Sequence, residues 1–325
     1  MLTKTPVVQI HLSRFCNLKC LHCYSSSSPT ERHALPVEDV LRTTAALSKS
    51  GYRRVSLSGG EPVLAPGFRA LANGLAAQGF DVAVITNGTR PGPLMKAMAE
   101  GAVHHASVSF DGPEPIHDMI RGRNGSFRTA LKTLQELANC GYSCGAVLSV
   151  TKHSFPHLPD VVELVRQTGA AHIQLHPIAL SGRARRQEET VGPELSPEAL
   201  LRLVAVGRLL QNIYPDLQIQ ADALLGEELH RFKHSETDLI SPLVIADDGA
   251  LLPFCFDISR KYSLGQLGEP GLDFRLGARL KSLLDTVTNR LADVPATNFY
   301  RELVVGSACD NFSGTTDDCL AETVE

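Results

Sequence analysis

From residue 7 to about residue 178, short apolar runs alternate with amphipathic stretches, and that alternation predicts the fold. Six runs read as strands: VVQIHLS (7–13), RVSLS (54–58), DVAVIT (81–86), HASVSFD (105–111), GAVLSVT (145–151) and HIQLHPI (172–178). They are rich in Val, Ile and Leu, the composition of strands covered on both faces. Between them, amphipathic stretches over 37–49, 68–78, 94–100, 127–140 and 158–168 predict helices. These run into Gly51, Gly79, Gly101, Gly141 and Gly169, the residue that best takes the left-handed turn closing a helix. Six strand–helix units predict an α/β fold, a partial (β/α)6 TIM-like barrel on a parallel sheet. Any site then belongs at the C-terminal ends of the strands.

The pattern changes after Ile178. A polar loop precedes a helix begun by Ser196 and Pro197, a good cap and first-turn pair. Further on, SPLVIADDGALLPFC reads as a hairpin around Asp248-Gly249 that delivers Cys255 at its end, followed by a helix over about 276–288. The expected organisation is a barrel core over 1–180, a helical connector over 181–240 and a small hairpin-helix extension over 241–325.

Composition narrows the function class. The 325 residues are 43% hydrophobic and 20% charged, with a net charge of −4, which suits a globular enzyme and not a general nucleic-acid binder. The one dense basic cluster, GRARR (182–186), reads as a solvated loop. No signal pattern opens the chain and no apolar run is long enough to span a membrane, so a cytoplasmic location with no membrane partner is expected. In a reducing compartment eight cysteines read as metal ligands, reactive thiols or small core residues. Cys140 and Cys144, in apolar company, read as structural.

The polar motifs all fall just after strands. RFCNLKCLHCY (14–24) follows the first and places Cys16, Cys20 and Cys23 in C-x3-C-x2-C spacing. GGEP (59–62) follows the second and TNGT (86–89) the third, while SFDG (109–112) and HDMIRG (117–122) follow the fourth. This combination resembles the radical S-adenosylmethionine enzymes over roughly residues 7–178. The resemblance implies that Cys16, Cys20 and Cys23 hold three irons of a [4Fe–4S] cluster, since thiolate is the ligand such clusters need. The fourth iron would then take the amino and carboxylate groups of S-adenosylmethionine. It implies further that Gly59 and Gly60 permit close backbone approach and that Glu61 accepts from the cofactor's amino group. Ser109 and Arg121 would lie near its ribose and carboxylate, with Asn87 a further polar contact and Tyr24 meeting the adenine edge through its backbone. A zinc site from the three cysteines with His22 or His11 would leave GGEP and SFDG without a purpose.

A second cysteine set, Cys255, Cys309 and Cys319, resembles in part the auxiliary-cluster extension of the SPASM and twitch enzymes. The glycine-then-cysteine partner usual after the first cysteine is absent from SLGQLGEPGLDF. One further iron–sulfur cluster is implied at most, its fourth ligand Asp310, Asp317, Asp318 or substrate. Buried structural cysteines, or Cys255 as a hydrogen-atom donor, remain open.

The short extension, and a first strand that begins at Val7, suggest a small-molecule substrate. The expectation is dehydrogenation or epimerisation of a carbinol centre in an aminocyclitol or aminoglycoside, fed electrons by a reductant such as flavodoxin or ferredoxin. His176 and Arg183, at or just beyond the sixth strand, are the candidates for its polar, proton-handling role. The alternatives are a maturase of a ribosomally made peptide and, more remotely, a non-enzymatic iron–sulfur protein.

Overall fold

In the computed structural model, which describes residues 5–225, 234–298 and 301–303, the central strands each have one apolar and one polar face. Strands β1 (Val7–His11), β2 (Arg54–Ser58), β3 (Asp81–Thr86), β4 (His105–Phe110), β5 (Ser143–Val150) and β6 (His172–Pro177) pair in parallel in sequence order. Between them run α1 (Val37–Ser50), α2 (Phe68–Ala77), α3 (Gly92–Ala99), α4 (Glu114–Arg121), α5 (Ser126–Asn139) and α6 (Leu158–Gln167). Right-handed crossovers between neighbouring parallel strands put every helix on the same side of the sheet. Val8, Ile10, Val82, Val84, Val108 and Leu175 are buried under that layer. The alternate positions, among them Gln9, Ser56, Ser107, Ser109, Ser149 and Gln174, are only half-buried and line the inner face of a partial barrel. The expectation of strands covered on both faces is therefore corrected. The apolar residues mark one face, and the serines and glutamines between them mark a hydrated one.

Gly51, Gly79, Gly101, Gly141 and Gly169 all have positive φ at the ends of α1, α2, α3, α5 and α6, as the helix-stop pattern predicts. Beyond β6 come the single turn α7 (Glu188–Val191) and α8 (Pro197–Ile213), whose cap Ser196 accepts from Ala199 N as expected. The stretch expected to be a helical connector also supplies a strand. β7 (Gln218–Ala221) pairs in parallel with β6, and β8 (Leu224–Leu225) follows it.

The predicted hairpin forms from β9 (Leu243–Ile245) and β10 (Ala250–Pro253), with Gly249 at φ 83° in its turn. It is not set apart from the barrel. β9 pairs in parallel with β1, Val8 opposite Leu243, so the hairpin and β11 (Gly265–Gln266) extend the sheet on that side. Then come α9 (Gly277–Leu291) and β12 (Ala296–Thr297), which pairs with β8. Among the described residues the main sheet has ten strands, and no helix is long and apolar enough to cross a membrane.

Candidate functional site

The chain leaves β1 as a long loop across the strand ends, and this loop carries the cysteine triplet. Cys16 and Cys20 are buried, Cys23 is half-buried, and all three are free thiols. The loop points backbone N–H groups at two of the sulfurs: Leu18 N donates to Cys16 Sγ at 3.4 Å and Ser27 N to Cys23 Sγ at 3.3 Å. Such donors stabilise thiolate, the form that binds iron. Burial pushes the Cys16 thiol up to about 11 and the Cys20 thiol to about 12, so this pocket favours deprotonation only when positive charge is brought in. Among the described residues no three His, Cys, Asp or Glu side chains converge as ligands of a single metal ion.

The glycine pair after β2 fits the cysteine loop from below. Gly60 N donates to Ser13 O and Glu61 N to Phe15 O, each at 2.8 Å. A Cβ on Gly60 would lie 2.1 Å from Phe15 O, and one on Gly59 would lie 2.7 Å from Ser13 O. The close approach expected of these glycines is thus made by the cysteine loop's own backbone.

Glu61 is almost fully buried. Its two carboxylate oxygens accept from Thr86 Oγ1 and Asn87 N, each at 2.7 Å. No cation is in ion-pair contact with it among the described residues, and burial pushes its carboxyl up to about 7. A lone buried carboxylate of this kind suits an incoming ammonium group. Asn87 donates from Nδ2 to Asn17 Oδ1 at 3.0 Å and towards Cys16 Sγ at 3.8 Å, while its Oδ1 accepts from Thr89. The third strand's motif therefore braces the first cysteine.

Asp111, at the end of β4, is the hub that sequence reasoning missed. Its fully buried carboxylate accepts from His22 Nε2 at 2.6 Å and from the Nε and Nη2 of Arg121. His117 Nδ1 accepts from Asp111 N at 3.3 Å. Although burial raises its carboxyl, the larger combined pull of Arg121, His22 and His117 holds it well below the usual carboxylate range. His117 itself is pushed down to about 4, chiefly by burial. The network ties the cysteine loop, through His22, to β4 and α4. Arg121, expected at a cofactor carboxylate, already spends part of its fork on Asp111. Ser109 lies half-buried on the inner face of β4.

The basic loop after β6 is not simply solvated, and Arg183 is corrected as a proton-handling candidate. Its guanidinium donates to Cys20 O at 2.6 Å, Ser26 O at 2.9 Å and Ser27 O at 2.6 Å, and its N donates to Cys23 O at 2.9 Å. A guanidinium held by carbonyls is a clamp, and it has donors only, with no lone pair to accept a proton. Beside it, a Cβ on Gly182 would lie 1.9 Å from Tyr24 O, so the β6 segment seats directly on the cysteine loop. The Tyr24 ring meets His11 and Phe256 edge-on, and Phe256 stacks on His11 with centroids 4.5 Å apart. His176 stands half-exposed on the inner face, with Nδ1 3.0 Å from Asp222.

Cys255 follows β10, which runs away from the rim that carries the triplet. The chain passes Leu243, level with Val8, before Phe254 turns at φ 68° and sends Phe256 back onto His11. Burial and Asp257 push the Cys255 thiol up to about 12. Cys309 and Cys319 lie outside the described residues. Cys144 is buried as expected, whereas Cys140 is exposed at the end of α5, because it caps the helix on its outer side.

Residues 10–165 match the Radical SAM superfamily model. The chain is 28% identical over 197 residues to the Fe-coproporphyrin III synthase of Methanosarcina barkeri, covering 60% of this chain and 49% of that protein. It is 30% identical over 178 residues to the antilisterial bacteriocin subtilosin biosynthesis protein AlbA of Bacillus subtilis, covering 54% and 40%. It thus spans about half, or less, of the length of these curated relatives. Among solved structures, Streptococcus suis SuiB bound to its precursor peptide SuiA superposes with a TM-score of 0.65 at 18% identity, covering 86% of this chain and 64% of that one. That likeness shows the shared partial-barrel fold. With its three-cysteine motif seated on the strand ends, the stretch over 10–165 is a radical SAM superfamily domain.

Proposed function

We propose that this chain is a radical S-adenosylmethionine enzyme that modifies a ribosomally made peptide. One observation carries the cofactor part: three free thiols pack near one another, with the buried carboxyl of Glu61 close to Cys16, at the rim of β1 to β3. Cys16, Cys20 and Cys23 would hold a [4Fe–4S] cluster, and Glu61, Asn87, Ser109 and Arg121 would face S-adenosylmethionine. When bound, this pair supplies a 5′-deoxyadenosyl radical that takes a hydrogen atom from the substrate, after an electron from a flavodoxin- or ferredoxin-type donor.

The chain's own residues do the rest. Asp111, Arg183 and the glycine pair fix the cysteine loop before anything binds. The half-buried serines and glutamines of the inner face offer hydrogen bonds to a polar substrate. AlbA takes part, by its name, in bacteriocin biosynthesis, and SuiB holds a precursor peptide. Both support a peptide, and the comparisons lend no support to an aminocyclitol. A tetrapyrrole is the second reading, favoured by the Methanosarcina relative. A broad flat macrocycle makes less use of the hydrogen-bonding serines and glutamines of this inner face than a peptide backbone does.

The test is anaerobic turnover of the reconstituted, reduced protein with S-adenosylmethionine and either a precursor peptide or a coproporphyrin. A mass change in the peptide alone is expected. Conversion of the porphyrin alone would favour the second reading, and no cofactor cleavage with either would favour a non-enzymatic iron–sulfur protein.

A further inference from the structure

On the side of the rim away from the thiols, β6 and β7 build a polar constellation that the cofactor site does not use. Pairing of the two strands places Asp222, one residue past β7, beside His176, and Asp222 N donates to Leu175 O at 2.9 Å. Its carboxylate then accepts from His176 Nδ1 at 3.0 Å, from Gln174 Nε2, and from Gln220 Nε2 at 3.1 Å. The Asp222 side chain is only 14% exposed, whereas that of His176 is 48% exposed. A carboxylate has no proton to give, so His176 must donate from Nδ1, and in the neutral ring Nε2 keeps its lone pair. His176, on the inner face, is the more exposed member of the pair. Seven residues later the chain reaches Arg183, which is bonded to Cys20 O, so the dyad and the thiols share one rim.

We propose that His176 is a proton acceptor for the substrate and that Asp222, itself braced by Gln174 and Gln220, is the positioning residue that holds it in the Nδ1–H tautomer. The group served is a side-chain O–H or S–H of the peptide. The X–H bond breaks, its electron pair stays on oxygen or sulfur, and the proton goes to Nε2. The imidazolium so formed is balanced by Asp222. An ordinary surface histidine would have no need of a carboxylate braced by two further donors, Gln174 and Gln220.

The inference rests on the peptide-maturase reading, and two readouts keep the two separable. In the reconstituted protein, His176→Gln and Asp222→Asn should leave 5′-deoxyadenosine formation within about twofold of wild type. Peptide product per deoxyadenosine should fall about 100-fold in His176→Gln, the scale of a general base. Unchanged coupling in both variants would overturn the dyad. In the cofactor-free protein, 15N NMR of the His176 ring should show protonated Nδ1 and bare Nε2, with that tautomer lost in Asp222→Asn. A mixed tautomer in the wild type would overturn the proposal even if the peptide is never turned over.

Discussion

Around the rim, the β1 to β4 side and the β6 to β7 side treat their polar side chains in opposite ways. On the first, Glu61, Asn87, Asp111 and Arg121 are buried and mostly satisfied by one another, and two glycines remove the side chains that would push the cysteine loop away. On the second, His176 stands half in solvent, and the neighbouring serines and glutamines are only half-buried. An end that must hold the same group in every cycle gains from being rigid beforehand, because fixed dipoles need no reorganisation. An end that must admit and release a substrate has to stay hydrated and reachable.

That contrast can be broken by substitution. Asp111→Asn should be the most damaging change, since it leaves Arg121 buried without its counter-charge. A loss of about 3–5 kcal/mol is expected in urea unfolding of the cofactor-free protein. Because the Asp111 pKa is depressed in the folded state, its contribution is present above the ordinary 3.8 and fades as pH falls through the lower folded value. Gly60→Ala comes next, at about 2–4 kcal/mol, because backbone at Phe15 has to give way. Glu61→Gln should act in the opposite direction. Its carboxyl is raised from 4.5 to about 7, so wild-type stability contributed below pH 4.5 is lost as pH rises through 7. The cofactor-free variant should therefore be more stable than wild type at pH 8 by roughly 2–3 kcal/mol, and level with it near pH 4. Cys140→Ser, exposed and remote, should shift stability by less than about 0.5 kcal/mol. If Asp111→Asn cost no more than Cys140→Ser, the rim would not be rigid at its buried end.

The strands and helices up to β6 were legible because apolar runs and helix-ending glycines recur in them. β7 was not, since QIQA is only four residues long, with just Ile219 and Ala221 on its apolar face, and derives its place from pairing with β6. α4 is no shorter than α3, but its HDMIRG stretch reads as a polar motif and not as a helix. The cysteines and Glu61 could be read from their motifs, but the partners that hold them could not. His22 meets Asp111 across 89 positions, and Arg183 meets Cys20 across 163. Such pairings follow from where the strand ends converge, not from local pattern. The D of SFDG marks Asp111 as an acid at a strand end, but its partners follow from the fold. Asp222 had no such motif.

The most direct test of the thiol site is iron and sulfide content, with S-adenosylmethionine cleavage, measured side by side for anaerobically reconstituted wild type and a Cys16→Ala/Cys20→Ala/Cys23→Ala variant. Expected is the loss of one [4Fe–4S] equivalent and of all 5′-deoxyadenosine formation in the variant. Undiminished iron, or continued cleavage without these three thiols, would contradict the assignment of this rim as the cofactor site.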